Sequence, residues 1–457
     1  MLFLPKYRFF QVMRPSTIFW RHTSSLQVGL EGVRVPGIPQ RFSYPWLRDS
    51  CQCPQCVHPT TKQKLHESSF VDAHVRPRSG EDSVSLTPTG DLSIDWDANS
   101  DFTGSPHTSV YSRLWLERYA SPTKLKAFHR DLDPKLWEVA DIKDSKDLFV
   151  SYEGLKDRPT LLRAMRHFIR FGLIFIHGVP SEHTDGASCE LQNFATIFGE
   201  IRETFYGRVW DVRNVKNSKN IAYTDLNLDL HMDLLYVLFL SLTTDSRVNP
   251  FLYKRYFQHP PRYQILHCLR NRVQGGESVF VDAFAAAEYL YRQSPDSFNL
   301  LATHPVGFQY LNDNHHLHRL HTTFVLTPPH LLPPSADHLV DGTPALDHIN
   351  YSPPFQAPLP VDAPRGLFTA LAQFSELLKR PEGRYVYRLQ ESDAVLFDNR
   401  RVLHARAAFK EWQDHERPKD VPQTREGESS RWLKGCYLEA DALLDRMRVL
   451  EAQLEEV

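Results

Sequence analysis

His231-Met232-Asp233 sets an imidazole and a carboxylate two residues apart. On a strand both side chains leave the same face, so the tripeptide predicts two donors aimed at one metal ion. The third donor is expected from His404, which follows a buried-looking strand in Phe397-Asp398-Asn399-Arg400-Arg401-Val402-Leu403-His404-Ala405-Arg406. Two histidines and one carboxylate leave three adjacent coordination positions open, which is how non-haem Fe(II) oxygenases hold a co-substrate and oxygen together. The chain has 22 histidines, so a lone His-x-Asp arises by chance and its weight must come from its surroundings.

The surroundings read as mainly β. Tyr263 to Cys268, Ser278 to Asp282, Arg384 to Leu389, Ala394 to Phe397 and Gly435 to Leu438 are short β-rich runs separated by loops such as Thr327 to Ser335. Before them, Thr160 to Arg170 places Leu161, Met165, Phe168 and Ile169 on one helical face. Phe171 to Gly178 then reads as a buried strand, and Gly186 to Phe198 as a second helix. Helices placed early with many short strands after predict a β-sandwich or double-stranded β-helix, that is a jelly-roll, buttressed by flanking helices. Upstream, Gln27 to Trp96 alternates short strands with turns, Arg76 to Thr87 reads as a loop, and Ser109 to Tyr119 as a short amphipathic helix. Ala120 to Ser151 reads as a connector. At 457 residues the chain exceeds what one core organises, and two domains are expected.

Composition bounds the partners. Lys plus Arg number 53 against 55 Asp plus Glu, a formal charge of -2 that offers no basic excess for nucleic acid or an anionic membrane. Hydrophobic residues at 41% supply a real core. Apolar runs such as Val237 to Leu240 and Leu173 to Ile176 fall far short of the roughly 20 residues that cross a bilayer. Lys6, Arg8, Arg14 and Arg21, with no acidic residue before Glu31, give residues 1–26 the character of a mitochondrial presequence; the alternative is a basic extension of a cytoplasmic protein.

Six cysteines are too few for a disulfide scaffold, yet Cys51, Cys53 and Cys56 crowd together. Three thiolates at that spacing reach one tetrahedral ion, and Zn(II) requires a fourth S or N donor. His58, His66, His74 and His107 all qualify on spacing. A closed four-ligand site has no position for water, so the expected role is structural.

At this point the motifs carry a resemblance. Ile221-Ala222-Tyr223-Thr224 ahead of His231-Met232-Asp233, Gly275-Gly276-Glu277-Ser278-Val279-Phe280-Val281-Asp282 after it, and Phe397-Asp398-Asn399 before His404 resemble the γ-butyrobetaine dioxygenase family. Trp46-Leu47-Arg48-Asp49 before the cysteines is similar to that family's zinc domain, in which His107 of His107-Thr108-Ser109-Val110-Tyr111 matches the fourth ligand. The resemblance covers roughly residues 27 to 450. It implies a zinc-binding β domain over 27–122 and a double-stranded β-helix dioxygenase domain over 140–452. It further implies Fe(II) on His231, Asp233 and His404, 2-oxoglutarate as co-substrate, ascorbate as reductant, and a homodimer. The distal carboxylate of 2-oxoglutarate is matched to Arg431 of Ser430-Arg431-Trp432, with Arg406 and Arg417 as competitors and Asn220 as a helper. A guanidinium fork suits a carboxylate. The gap from His404 to Arg431 is wider than the family pattern, with a polar insert around Gln413 to Glu428.

A trimethylammonium group cannot donate hydrogen bonds, so a site selective for it relies on shape and aromatic faces. By resemblance Tyr206, Trp210, Tyr223 and Tyr437 match the family's aromatic cage, although aromatics on strands are more often core. Asn350 and Ser352 are candidates for the substrate carboxylate. The implied reaction couples decarboxylation of 2-oxoglutarate to succinate and CO2 with hydroxylation of γ-butyrobetaine to L-carnitine. Trimethyllysine dioxygenase is the alternative within the family. A catalytically inactive, zinc-stabilised interaction protein is the alternative outside it, made thinkable by Val237–Tyr256, which stands where the family runs almost directly from Tyr236 to Phe257. That segment reads as a loop insertion or a translated intron.

Overall fold

The computed structural model describes residues 25–78, 83–99, 101–214, 223–235, 260–312, 314–328, 344–413, 415–419, 421–425 and 428–455. The proposed presequence, Asn220 and the segment 237–256 therefore lie outside the described residues, apart from the last two positions of 1–26. The chain divides into two compact units, Met1–His129 and Arg130–Val457. Among the described residues, no helix is long and apolar enough to cross a membrane.

The first unit builds its core between two small antiparallel sheets, Gln27–Val28, Gly32–Arg34, Arg41–Ser43 and Val84–Leu86, Leu92–Trp96, His107–Tyr111. Val33, Phe42, Leu47, Ile94 and Trp96 are fully or almost fully buried there. The expected helix from Ser109 to Tyr119 is corrected: His107–Tyr111 is a strand with residues 107, 109 and 111 buried and 108 and 110 not. The helix begins only at Arg113, because the Ser112 side chain accepts from the Trp115 backbone and caps it. Val84–Leu86, read as loop, is likewise a strand.

In the second unit two sheets face each other. The larger runs Trp210–Arg213, Arg431–Leu438, Tyr263–Asn271, Ala394–Asp398, Leu173–His177, Phe149–Ser151, with Ile201–Arg202 also on Arg431–Leu438. The smaller runs Leu228–His231, Val402–Arg406, Ser278–Asp282, Tyr385–Tyr387. Alternation sorts their side chains. From Leu173–His177, residues Leu173 and Phe175 enter the inter-sheet core beside Phe280 and Phe397, while Ile174 and Ile176 turn outward onto helices Arg158–Phe171, Leu191–Phe198 and Ala440–Glu455. Leu403 and Ala405 of the smaller sheet turn outward onto Ala283–Gln293, Pro295–Thr303 and Arg365–Leu378. Helices thus cover both outer faces, and strands such as Ala394–Asp398 are buried throughout. This is the jelly-roll sandwich with flanking helices. The helix read from Gly186 starts at Leu191, because Asp185 Oδ1 accepts the Ala187 and Ser188 backbone N–H groups and closes a turn instead.

Two histidines in this core make the fold acid-sensitive. His167 and His267 are buried, each with one ring nitrogen lacking a partner among the described residues, and burial pushes both down to about 4. They stay neutral in the fold but protonate at about 6.5 when unfolded, so the stability they permit is complete above pH 6.5 and is lost as pH falls toward 4. At full extent each costs about 3 kcal/mol. The urea midpoint followed by far-UV circular dichroism should drop steeply between pH 7 and pH 5; a flat profile there would refute the assignment.

Candidate active site

His231 ends the strand Leu228–His231 and stands opposite His404 of Val402–Arg406, their rings 4.2 Å apart. Asp233 does not share a strand face with His231, which corrects that expectation. The strand stops, and the chain is bent by three restraints: Met232 N bonds to Tyr351 O at 2.9 Å, Asp233 N bonds to Asn399 Oδ1 at 2.9 Å, and Leu234 takes a left-handed φ of 63°. The bend brings Asp233 Oδ1 to 3.5 Å from His231 Nε2. One donor atom from each of His231, Asp233 and His404 lies within 4.8 Å of the others.

The donor chemistry fits a metal ion. His231 Nδ1 donates to Asp229 O at 2.8 Å, which fixes the tautomer and leaves Nε2 as a lone-pair donor. His404 Nδ1 is buried and has no hydrogen-bond partner among the described residues. Burial and the neighbouring His231 push His404 down to about 3, so it is held neutral as a ligand must be. Burial works to raise Asp233, but the neighbouring imidazoles and the Tyr437 hydroxyl outweigh it and hold the carboxylate well below its usual range. Asp233 Oδ2 accepts from Tyr437 Oη at 2.8 Å and Gln264 Nε2 at 2.9 Å.

Arg431 lines the same pocket, together with Leu266, Ser278 and Arg406. It is 4% exposed, and among the described residues its Nε has no hydrogen-bond partner and it forms no ion pair. Burial, then the nearby Arg406, pulls it down to about 9. Gly276 makes room for it: φ is +75°, and a Cβ there would stand 3.0 Å from Arg431 Nε. A buried guanidinium lacking a carboxylate partner fits a carboxylate ligand. Of the competitors, Arg406 shares the pocket and donates to Leu226 O, while Arg417 is not among the pocket's lining residues.

Three aromatic residues come together. Trp210 packs against Tyr437 at 5.3 Å and Tyr206 at 6.4 Å, and it lies on Gly435, whose Cβ would fall 2.4 Å from the indole. Tyr223 is half-buried in the turn upstream of Leu228–His231. Asn350 and Ser352 are buried, Asn350 Nδ2 donating to Thr322 O. Sequence reading missed Gln264, Asn399 and Phe205, whose ring lies 4.0 Å from Tyr206 and 4.9 Å from His315. A lone amide inside the apolar run Tyr263 to Leu266 was the available signal for Gln264.

The first unit gathers a second donor set. His107 Nε2 lies 3.4, 3.8 and 3.6 Å from the sulfurs of Cys51, Cys53 and Cys56. A tetrahedral ion with ordinary S and N bond lengths requires edges of about 3.6 Å. His66 instead stacks on Phe102, and His58 Nδ1 accepts from Thr60 and Thr61. Arg48, in a buried ion pair with Asp101, donates to Cys56 Sγ at 3.3 Å. The four donors could hold a metal ion.

Known proteins attach chemistry to this geometry. The taurine catabolism dioxygenase TauD, TfdA family matches residues 254–437. The dioxygenase str8 of Strobilurus tenacellus is 44% identical over 95% of this chain and 91% of its own length. The γ-butyrobetaine dioxygenase of Pseudomonas sp. (strain AK-1) is 30% identical over 97% of this chain and 98% of its own, and the mitochondrial trimethyllysine dioxygenase of Rattus norvegicus 26% over 96% and 92%. The protein is an Fe(II)- and 2-oxoglutarate-dependent dioxygenase. It belongs to the TauD-like family of γ-butyrobetaine and trimethyllysine dioxygenases.

Proposed function

We propose that the protein hydroxylates a trimethylammonium substrate, γ-butyrobetaine before trimethyllysine, forming L-carnitine, succinate and CO2. The observation that carries this reading is the Tyr206, Trp210, Tyr437 cluster beside the candidate iron donors, since aromatic faces each contribute roughly 0.5 to 2 kcal/mol toward a cation that offers no hydrogen bond. In this reading His231, Asp233 and His404 hold Fe(II), which supplies the oxidative chemistry. Arg431 grips the distal carboxylate of 2-oxoglutarate, Asn220 and Tyr223 complete the binding surfaces, and ascorbate serves as reductant. The first unit's Cys51, Cys53, Cys56 and His107 hold structural Zn(II), and the basic stretch before Glu31 directs the enzyme to mitochondria. Mass spectrometry of products from γ-butyrobetaine and trimethyllysine in competition, with succinate measured in parallel, tests the substrate. Hydroxylation of neither compound would reject it.

The arginine assignment predicts a separate result. Arg431→Met removes a bidentate charge-assisted pair, and the KM for 2-oxoglutarate should rise about 100-fold. Arg417→Met should leave it within about twofold. An unchanged 2-oxoglutarate KM in Arg431→Met would move the role to Arg406.

A further inference from the structure

Asp233 is held more firmly than metal ligation alone requires. Tyr437 and Gln264 stand directly opposite each other on the antiparallel strands Arg431–Leu438 and Tyr263–Asn271, so both side chains leave the same sheet face and both donate to one oxygen, Oδ2. Both residues are almost completely buried. Among the described residues Gln264 Oε1 has no hydrogen-bond partner, although buried amides ordinarily satisfy both ends, and its amide nitrogen is committed to Asp233. At the backbone, Asn399 grips Asp233 from both sides, accepting from its N–H at 2.9 Å and donating to its C=O at 3.2 Å. Oδ1 is the oxygen turned toward His231.

Tyr437 also does something Gln264 cannot. Its ring packs on Trp210 within the aromatic cluster, while its hydroxyl reaches the carboxylate. One side chain therefore touches both the surface assigned to the substrate cation and the carboxylate assigned to the metal.

We infer that Gln264 and Tyr437 are positioning residues that confine Asp233 to ligation through Oδ1, and that Tyr437 relays occupancy of the aromatic site to the metal. The relay rests on the trimethylammonium reading above; the confinement does not. A cation against the tyrosine face withdraws electron density from the phenol, so the O–H becomes a stronger donor to Oδ2. Charge would then shift from Oδ1 toward Oδ2, so that Asp233 would donate less to a metal ion held by the three side chains when the aromatic site is occupied. No bond is made or broken in this step.

Anaerobic titration of the full-length protein with Co(II) tests both halves, because Co(II) reports its coordination through visible absorption without turnover. Tyr437→Phe keeps the ring and removes the hydroxyl; Gln264→Met keeps the volume and removes the amide. Both should weaken Co(II) binding roughly 10- to 100-fold. Adding γ-butyrobetaine should change the Co(II) spectrum of the wild type and of Gln264→Met, but not of Tyr437→Phe, although substrate affinity in Tyr437→Phe stays within about threefold by calorimetry. Undiminished Co(II) affinity in both variants overturns the confinement. A substrate-induced spectral change that survives in Tyr437→Phe overturns the relay. Failure of either trimethylammonium compound to bind the wild type overturns the substrate reading and the relay with it, while the two Co(II) affinities still decide the confinement.

Discussion

Asp233→Ala is expected to lower turnover by about 1000-fold or more and to weaken Fe(II) or Co(II) binding to below detection at micromolar metal. Several kcal/mol of transition-state stabilisation pass through the metal, and tenfold in rate corresponds to about 1.4 kcal/mol. Removing this side chain deletes the one carboxylate donor of the three, leaving two imidazoles. It also strands the Gln264 amide and the Tyr437 hydroxyl, both of which point at Oδ2. Asp233→Asn separates these effects: the shape is kept and a carbonyl oxygen still accepts a hydrogen bond, but the charge is gone. If charge dominates, Asn should be nearly as inactive as Ala while unfolding closer to the wild type. The backbone bend should survive in either variant, because Asn399 holds main-chain atoms of residue 233. Retention of more than a tenth of wild-type turnover by Asp233→Ala would show that this residue is not a metal ligand, whatever the proximity of the three side chains.

The legible parts of the molecule were those spelled in few residue types. Metal donors must be His, Cys or carboxylate, so His231, His404 and the Cys51 to Cys56 cluster stand out before any fold is known. Strands buried on both faces, such as Ala394–Asp398, read as short continuous apolar runs because helices and the opposing sheet cover them. What was not legible depends on distant partners. The tripeptide around Asp233 looks like strand, and its departure is decided by Asn399 and Tyr351, far along the chain. Spacing leaves His107 level with His58, His66 and His74; the resemblance picks it out, and its physical reason appears only in the pairing of Leu92–Trp96 with His107–Tyr111, which fixes residue 107 on the buried face. The resemblance matches Tyr437 to a cage residue, and its hydroxyl contact with Asp233 follows only from the pairing of Gln264 with Tyr437 across two strands.

His107→Ala is expected to abolish zinc binding by the first unit and to unfold it, whereas His66→Ala should leave one zinc per chain. The unit's core is small, two three-stranded sheets around residues such as Val33, Ile94 and Trp96, and structural Zn(II), worth about 10 to 16 kcal/mol of apparent binding free energy in zinc-finger peptides, would add to its folding free energy directly. Three thiols and one imidazole packed at these distances lack that stabilisation without a cation. The hydrogen bond from Cys56 then drives Cys51 down while Cys56 itself is driven up, so the cluster keeps protons that metal would displace. Arg48 adds to the dependence, because its buried pairing with Asp101 aims an N–H at Cys56 Sγ and places a positive charge beside the thiolates. Zinc counted by inductively coupled plasma mass spectrometry, with the fluorescence of Trp46, Trp96 and Trp115 followed in urea, reads both effects. Wild type and His66→Ala should carry one zinc and show a late transition, and His107→Ala none and a transition already complete at low denaturant. One zinc per chain in His107→Ala would assign the fourth ligand elsewhere, and a wild type that keeps its transition unchanged after exhaustive chelation would reduce the cluster to four side chains that happen to meet.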